Sequence, residues 1–271
     1  MRISLLTSDR THWYDNLWAA LIFFTRLPFW RIYQPPKASY ESVVEHWPLV
    51  GWLTGGCMAA VFLLASLCLP TPVAVVMAII ARLCVTGALH EDGLADFLDG
   101  FGGGTRRERI LAIMKDSHIG TYGVLGLVAY ELLYFSVLTA FALLHGPWLT
   151  ALLMVAGDSY GKLMAAQIVQ FLPYARTADT AKSGVVYRRL SVKAAVGLFF
   201  QGVIPLAVYL YLTGFEHWEW MVFLPAFAMY FLYLLMNRKI QGYTGDCCGA
   251  LFLVCELACD MAALFSIQSA L

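Results

Sequence analysis

The run GVLGLVAYELLYFSVLTAFALLH at residues 123–145 carries one charged side chain, Glu131. It is followed by Gly146-Pro147-Trp148 and a second, mostly apolar run over 149–171. A helix needs about 20 predominantly apolar residues to cross the hydrocarbon core of a bilayer. Both runs meet that length, and the Gly-Pro pair between them ends one helix and turns the chain back. The reading is two membrane-spanning helices joined by a tight hairpin.

Working outward, further apolar runs cover 49–68, 73–89, 194–214, 221–236 and 247–267, the first two joined by Leu69-Pro70-Thr71-Pro72. The chain is 60% hydrophobic and 13% charged, against about 45–50% and 25% in soluble domains. These patterns predict an all-α, polytopic integral membrane helical bundle of about seven spans, forming one domain over 1–271. Before the first span, Trp13, Leu17, Trp18, Leu21 and Phe24 recur at helical spacing up to Leu27-Pro28. They predict an amphipathic N-terminal helix, either lying in the interface or partly inserted. The first residues contain no apolar run with a small-residue cleavage site, so no signal peptide is expected. No internal repeat is visible.

Every Lys and Arg except Arg82 and Lys162 falls in segments 1–48, 90–122, 172–193 and 237–246, all on one side of such a bundle. By the positive-inside rule that side is the cytoplasm, so a multi-pass protein of the bacterial cytoplasmic (inner) membrane is expected, with its polar segments facing inward. The formal net charge is zero, which gives no bulk attraction for nucleic acid. Cys57, Cys68, Cys84, Cys247, Cys248, Cys255 and Cys259 form no CxxC pair and read as small apolar side chains.

The chemistry concentrates in His90-Glu91-Asp92-Gly93-Leu94-Ala95-Asp96-Phe97-Leu98-Asp99-Gly100. Asp92, Asp96 and Asp99 fall at i, i+4 and i+7, one face of a helix. Carboxylates about 4 Å apart repel by roughly 1 kcal/mol in water and 4 at an effective dielectric of 20. A hard divalent cation relieves that repulsion, and all-oxygen ligation favours Mg²⁺, Mn²⁺ or Ca²⁺. The competing reading is a solvated acidic helix end neutralised by Arg106, Arg107 and Arg109. Gly93, Ala95 and Gly100, interleaved with the acids, favour close approach of a ligand or another backbone. His90 and His118 lack the partners of a zinc site.

Gly102-Gly103-Gly104 reads as a hinge, and Ile110, Leu111, Ile113 and Met114 as an amphipathic helix. The following run, Lys115-Asp116-Ser117-His118-Ile119-Gly120-Thr121-Tyr122-Gly123, offers backbone amides to a phosphate. In Gln241-Gly242-Tyr243-Thr244-Gly245-Asp246, Gly245 permits an unusual backbone, and Asp246 reads as a helix cap or as a ligand. Asp158 and Lys162, four apart, are expected to pair. Arg82, Glu131 and Glu256 are intramembrane ionisable groups and so functional candidates.

These blocks occur together in one family. Phe24-Thr25-Arg26-Leu27-Pro28, Gly87-Ala88-Leu89-His90-Glu91-Asp92-Gly93-Leu94-Ala95-Asp96 with Asp99-Gly100, Ile113-Met114-Lys115-Asp116-Ser117 with Ile119-Gly120-Thr121, and Gly242-Tyr243-Thr244-Gly245-Asp246 with Glu256 resemble cobalamin synthase, the adenosylcobinamide-GDP ribazoletransferase family. The resemblance runs over essentially the whole chain. It implies attack of α-ribazole, or its 5′-phosphate, on the inner phosphate of adenosylcobinamide-GDP, releasing GMP. It implies Mg²⁺ on Asp92, Asp96 and Asp99, with Asp116 and Asp246 as further ligands or as base, in cytoplasmic active-site helices. Arg26 and Lys115 would contact phosphates, and Ser117, Thr121 and Thr244 would line the substrate site. Where the family often carries Ser-Arg-Gly, this chain reads Ser159-Tyr160-Gly161-Lys162, and Lys162 would supply the cation. Partnership with the lipid bilayer is implied, and self-association or contact with other cobalamin-pathway enzymes is left open.

Two rivals remain. A CDP-alcohol phosphatidyltransferase shares clustered aspartates at a membrane boundary, but its Ala-Arg does not follow Asp96-x2-Asp99-Gly100. An ion-coupled transporter would use intramembrane acids, but lacks here the repeated halves common in that class.

Overall fold

The computed structural model describes residues 12–176, 184–214 and 218–268. Arg2, Arg10 and Lys182, counted above among the cytoplasmic cations, lie outside the described residues. The described chain is helical: α1 (Asp15–Phe24), α2 (Trp47–Ser66), α3 (Thr71–Thr86), α4 (Leu89–Gly103), α5 (Arg107–Lys115), α6 (Thr121–Ala166), α7 (Ile168–Phe171), α8 (Val192–Thr213), α9 (Trp218–Ile240) and α10 (Gly245–Gln268), with 3₁₀ turns at Phe29–Arg31 and Lys37–His46. The all-α membrane bundle is as expected.

The count of spans differs from the expected seven. Among the described residues, five helices are long and apolar enough to cross a bilayer, or six if the bent pair α3–α4 counts as one, with α6 taken as a single helix. One reason is that the expected spans 123–145 and 149–171 fall in a single element, α6. Its 46 residues would reach about 69 Å if straight, more than twice a bilayer's hydrocarbon core. Gly146, at φ 78° and ψ 175°, interrupts it in a conformation open to glycine. The chain reverses there, since both arms meet the same residue of α10. The Tyr134 hydroxyl lies 3.1 Å from the Glu256 carboxylate, and a Cβ on Gly161 would sit 3.0 Å from the Glu256 nitrogen. A straight helix would hold those two residues about 40 Å apart. The hairpin read at Gly146-Pro147-Trp148 is present inside one element.

The other departure is the expected span 73–89. α3 stops at Thr86, and Gly87 and Ala88 are both left-handed, at φ 67° and 55°. The following α4 turns away by 89°. At α1, ten residues span about 15 Å, half the core thickness, so this helix does not cross. Its buried residues are Asp15, Ala19, Ala20 and Phe24 rather than the Leu17–Leu21 stripe. The small side chains allow close packing, and Trp13 is left exposed.

α10 is the central helix, packed on α4, α6 and α9. Its most apolar stretch is 72% buried, against 17% for α9. The start of α10 and the length of α4 therefore meet inside the assembly.

Candidate active site

α4 carries the three aspartates in graded environments. Asp92 is exposed, Asp96 half-buried and Asp99 buried. Asp99 accepts hydrogen bonds from the amides of Gly120 at 2.6 Å and Gly123 at 2.8 Å. Gly120 and Gly123 flank the first turn of α6, where amides have no partner within the helix. Asp99 thus caps α6 from a neighbouring helix, using both oxygens. This alters the expectation for the 115–123 run, because two of the amides offered there to a phosphate already hold an internal carboxylate.

Asp246 sits in the first turn of α10. The cap of that helix is Thr244, whose hydroxyl accepts from the Cys247 amide at 3.3 Å. Asp246 is therefore not needed as the cap, and Thr244, expected to touch substrate, is buried in that structural task. The unusual backbone is at Gln241, φ 51°, and not at Gly245. α4 approaches this turn closely: a Cβ on Gly93 would lie 3.0 Å from the Asp246 carbonyl oxygen. The interleaved glycine thus serves a second backbone, as its type allows, and brings Asp92 and Asp246 to one place.

A single bridge between Tyr174 and Tyr243 completes the site. Ala175 donates to the Tyr243 carbonyl at 2.7 Å, and Tyr243 to that of Pro173 at 3.0 Å. Arg107 donates to the carbonyls of Ile240 and Ala175, so this arginine fixes backbone. The pairing delivers Tyr174 and Arg176 to a cavity of about 260 Å³, whose wall also includes Phe24, Trp47, His90, Asp92, Tyr187 and Asp246. Burial pushes the Tyr174 hydroxyl up to about 12, so it remains a donor at working pH. His90 is buried, and neither ring nitrogen has a hydrogen-bond partner.

The other expected site residues are placed apart from that wall. Lys115, Asp116, Ser117 and Thr121 are exposed. Asp116 accepts from the His118 amide and pairs with its ring at 2.7 Å, and these bonds hold its carboxyl below the ordinary range. Arg26 is exposed, and its side chain lies over Gly87 at the α3–α4 break. Lys162 is fully buried, bonded to Asp158 and to Thr54, with its ammonium 4.0 Å from the Phe252 ring centre. The expected Asp158 pairing is present, and it accounts for the cation expected at substrate. Among the described residues, no three His, Cys, Asp or Glu side chains converge as a metal cage.

A sequence profile of the cobalamin-5-phosphate synthase family matches residues 16–264. The chain belongs to that family. Proteins named adenosylcobinamide-GDP ribazoletransferase are similar to it along most of their length. That of Shewanella woodyi is 36% identical over 245 residues, covering 90% of this chain and 93% of its own. The Leptospira interrogans protein is 32% identical over 247 residues, covering 87% and 89%. No solved structure matches the chain.

In this member of the cobalamin-5-phosphate synthase family a second polar cluster lies buried among α2, α3, α6 and α10. Arg82 donates to both oxygens of Glu256, at 2.7 and 2.6 Å, and lies 3.6 Å from Glu91. Tyr130 and Tyr134 surround the pair. Asp260 joins it with no hydrogen bond to either oxygen. Spacing did not single out Asp260, Arg176 or the aromatic wall. Arg176 was legible only as one of many cations in the charged loops, and Tyr174 and Tyr187 lie in loops without periodicity.

Proposed function

We propose that this chain is an Mg²⁺-dependent adenosylcobinamide-GDP ribazoletransferase acting at the cytoplasmic face of a bacterial inner membrane. What carries the reading is the meeting of Asp92 and Asp246 at one cavity, in a chain whose family and named relatives perform this step in cobalamin synthesis. The reaction forms a bond from a ribose hydroxyl oxygen of α-ribazole, or of its 5′-phosphate, to the phosphorus attached to cobinamide. The bond from that phosphorus to GMP breaks, and one proton leaves the nucleophile.

The residues present suit a divalent cation of this kind. Mg²⁺ is commonly held by one or two carboxylates together with substrate phosphates, and not by an all-protein cage. Asp92 and Asp246 would hold it, with Asp96 one turn along α4, and the diphosphate of the substrate would complete the ligand set. Bound there, the metal would neutralise charge on the phosphoryl oxygens and on the leaving group. Asp99 then acts by fixing α4 against α6. Arg176 supplies a cation at the cavity wall for the phosphates, while Arg26 and Lys115 lie on the exposed approach. A rim carboxylate receives the proton. The bundle carries the bilayer contact, and its cationic loops orient the site inward.

Purified protein in lipid, given adenosylcobinamide-GDP, α-ribazole and Mg²⁺, is expected to release GMP in step with cobalamin formation. Absence of GMP release in a folded preparation contradicts the reading. A CDP-alcohol transferase would instead release CMP from a lipid nucleotide.

A further inference from the structure

Three segments far apart in the chain carry the acids and the cation of the site: α4 with Asp92, the loop with Tyr174 and Arg176, and the turn from the end of α9 to Asp246. The short helix α5 joins them. Its Ile110 and Met114 are buried and pack on glycines of α4. A Cβ on Gly104 would lie 2.6 Å from the Ile110 side chain, and one on Gly100 would strike Met114. Arg107 and Leu111, one turn apart on α5, bond to the other two segments. Arg107 Nε donates to the Ile240 carbonyl at 2.8 Å and its Nη2 to the Ala175 carbonyl at 3.1 Å. In the opposite direction, Arg176 Nη2 donates to the Leu111 carbonyl at 2.8 Å. Ile240 ends α9, where carbonyls have no partner within the helix. Ala175 lies across the bridge, its amide 2.7 Å from the Tyr243 carbonyl. One guanidinium therefore holds both sides of the bridge, the side that leads to Arg176 and the side that leads to Asp246.

Resting on the transferase reading above, we propose that Arg107 is a positioning residue, which sets Arg176 at its working distance from Asp246 and does not touch substrate. Arg107 is exposed and stands outside the cavity wall, of which Arg176 and Asp246 are both part. Its influence on the reaction passes through the two sides of the bridge. The guanidinium suits this task because its planar fork fixes two donor directions at once, whereas a lysine ammonium is a single point charge on a flexible stem. Arg176 uses one N–H on Leu111 and has others among its five for an anion. The bond to Leu111 also ties Arg176 to the helix that Arg107 belongs to, so the cation and its positioning residue move as one unit. The rival role for Arg107 is that of a plain positive charge attracting an anionic substrate, and lysine would fill that role as well as arginine.

The test combines amide hydrogen exchange with steady-state GMP release, both on the full chain in lipid nanodiscs. Arg107→Lys keeps the charge and loses the fork, and Arg107→Met loses both. In each variant, exchange at the Ala175 and Tyr243 amides is expected to quicken about tenfold, with the core of α10 still protected. Each is expected to lower kcat/KM about tenfold to 100-fold. Arg109→Met, which removes the same charge from exposed α5 surface, leaves kcat/KM unchanged. In an Arg176→Met background the Arg107 changes should lower kcat/KM by no more than about threefold, because the spacing matters only while Arg176 is present. A purely structural role would lower both backgrounds alike, and that result overturns the proposal. So does wild-type kcat/KM in Arg107→Lys, or unchanged exchange at the bridge. Faster exchange at the bridge in both variants, with no GMP release by wild type, would leave Arg107 as the residue that holds the bridge and sink the transferase reading.

Discussion

The two polar regions of this molecule use the same residue types and differ in what those residues have left to do. Between α3, α6 and α10, Arg82 and Glu256 are fully buried and bonded to each other, and Lys162 is bonded to Asp158 in the same way. At the meeting of α4 and α10, Asp92 and Asp246 border a cavity, beside a histidine without partners. In the first region each charge is answered by protein, which holds helices together where an unpaired charge would be costly. In the second, the groups face a space that a ligand can enter. The comparison teaches that charges enclosed and paired within the bundle hold it together, whereas those that border a cavity are the ones to test for function, and Asp260, buried with no hydrogen bond to either oxygen, follows neither pattern.

Substitutions should separate the regions by which quantity they move. Asp92→Asn is expected to lower turnover by at least about 100-fold, with folding intact, because removing one acid from a group of like charges relieves repulsion. Near-normal turnover at limiting Mg²⁺ would remove Asp92 from the site. Glu256→Ala should do the reverse. It leaves Arg82 buried and uncompensated, a loss of about 3–5 kcal/mol in stability, read by unfolding in mixed detergent, while turnover per folded molecule is retained.

Asp99 lies between the two cases. Asp99→Ala removes the cap on α6, expected to cost about 0.5–2 kcal/mol, and turnover should fall less than tenfold by this reasoning. A fall on the Asp92 scale would move Asp99 into the metal set. The smallest effect is expected at Thr244, where the change to Ala costs about 1 kcal/mol and Ser is nearly neutral. A thermal-shift series on the pair would show it, and equal losses for Ala and Ser would argue against capping.

Much of this was legible in residue order. Apolar run lengths fix the class, Gly146-Pro147 marks the reversal, and the Asp–Gly interleaving anticipates the approach of α10 to Gly93. Helical spacing placed Asp92, Asp96 and Asp99 on one face. It carries no information on which neighbour each would meet, and the amides of Gly120 and Gly123 were 21 and 24 residues away. Tertiary contact likewise decided that Thr244 caps α10 and that Lys162 is enclosed. Tyr174, Arg176 and Tyr187 depend on one bridge between two loops, which no local pattern encodes. The family resemblance supplied the chemistry, whereas the acids and the small residues among them went only as far as favouring a metal site over a solvated helix end.

The central claim is that Asp246 serves the reaction and not the helix. GMP release from adenosylcobinamide-GDP, measured across a Mg²⁺ titration for wild type and Asp246→Asn in the same lipid, tests it most directly. Asn fits a first helical turn about as well as Asp but is a poor ligand for a hard cation. The account predicts orders-of-magnitude loss, or a requirement for far more Mg²⁺, in a protein that unfolds like wild type. Wild-type turnover with wild-type Mg²⁺ dependence would contradict it.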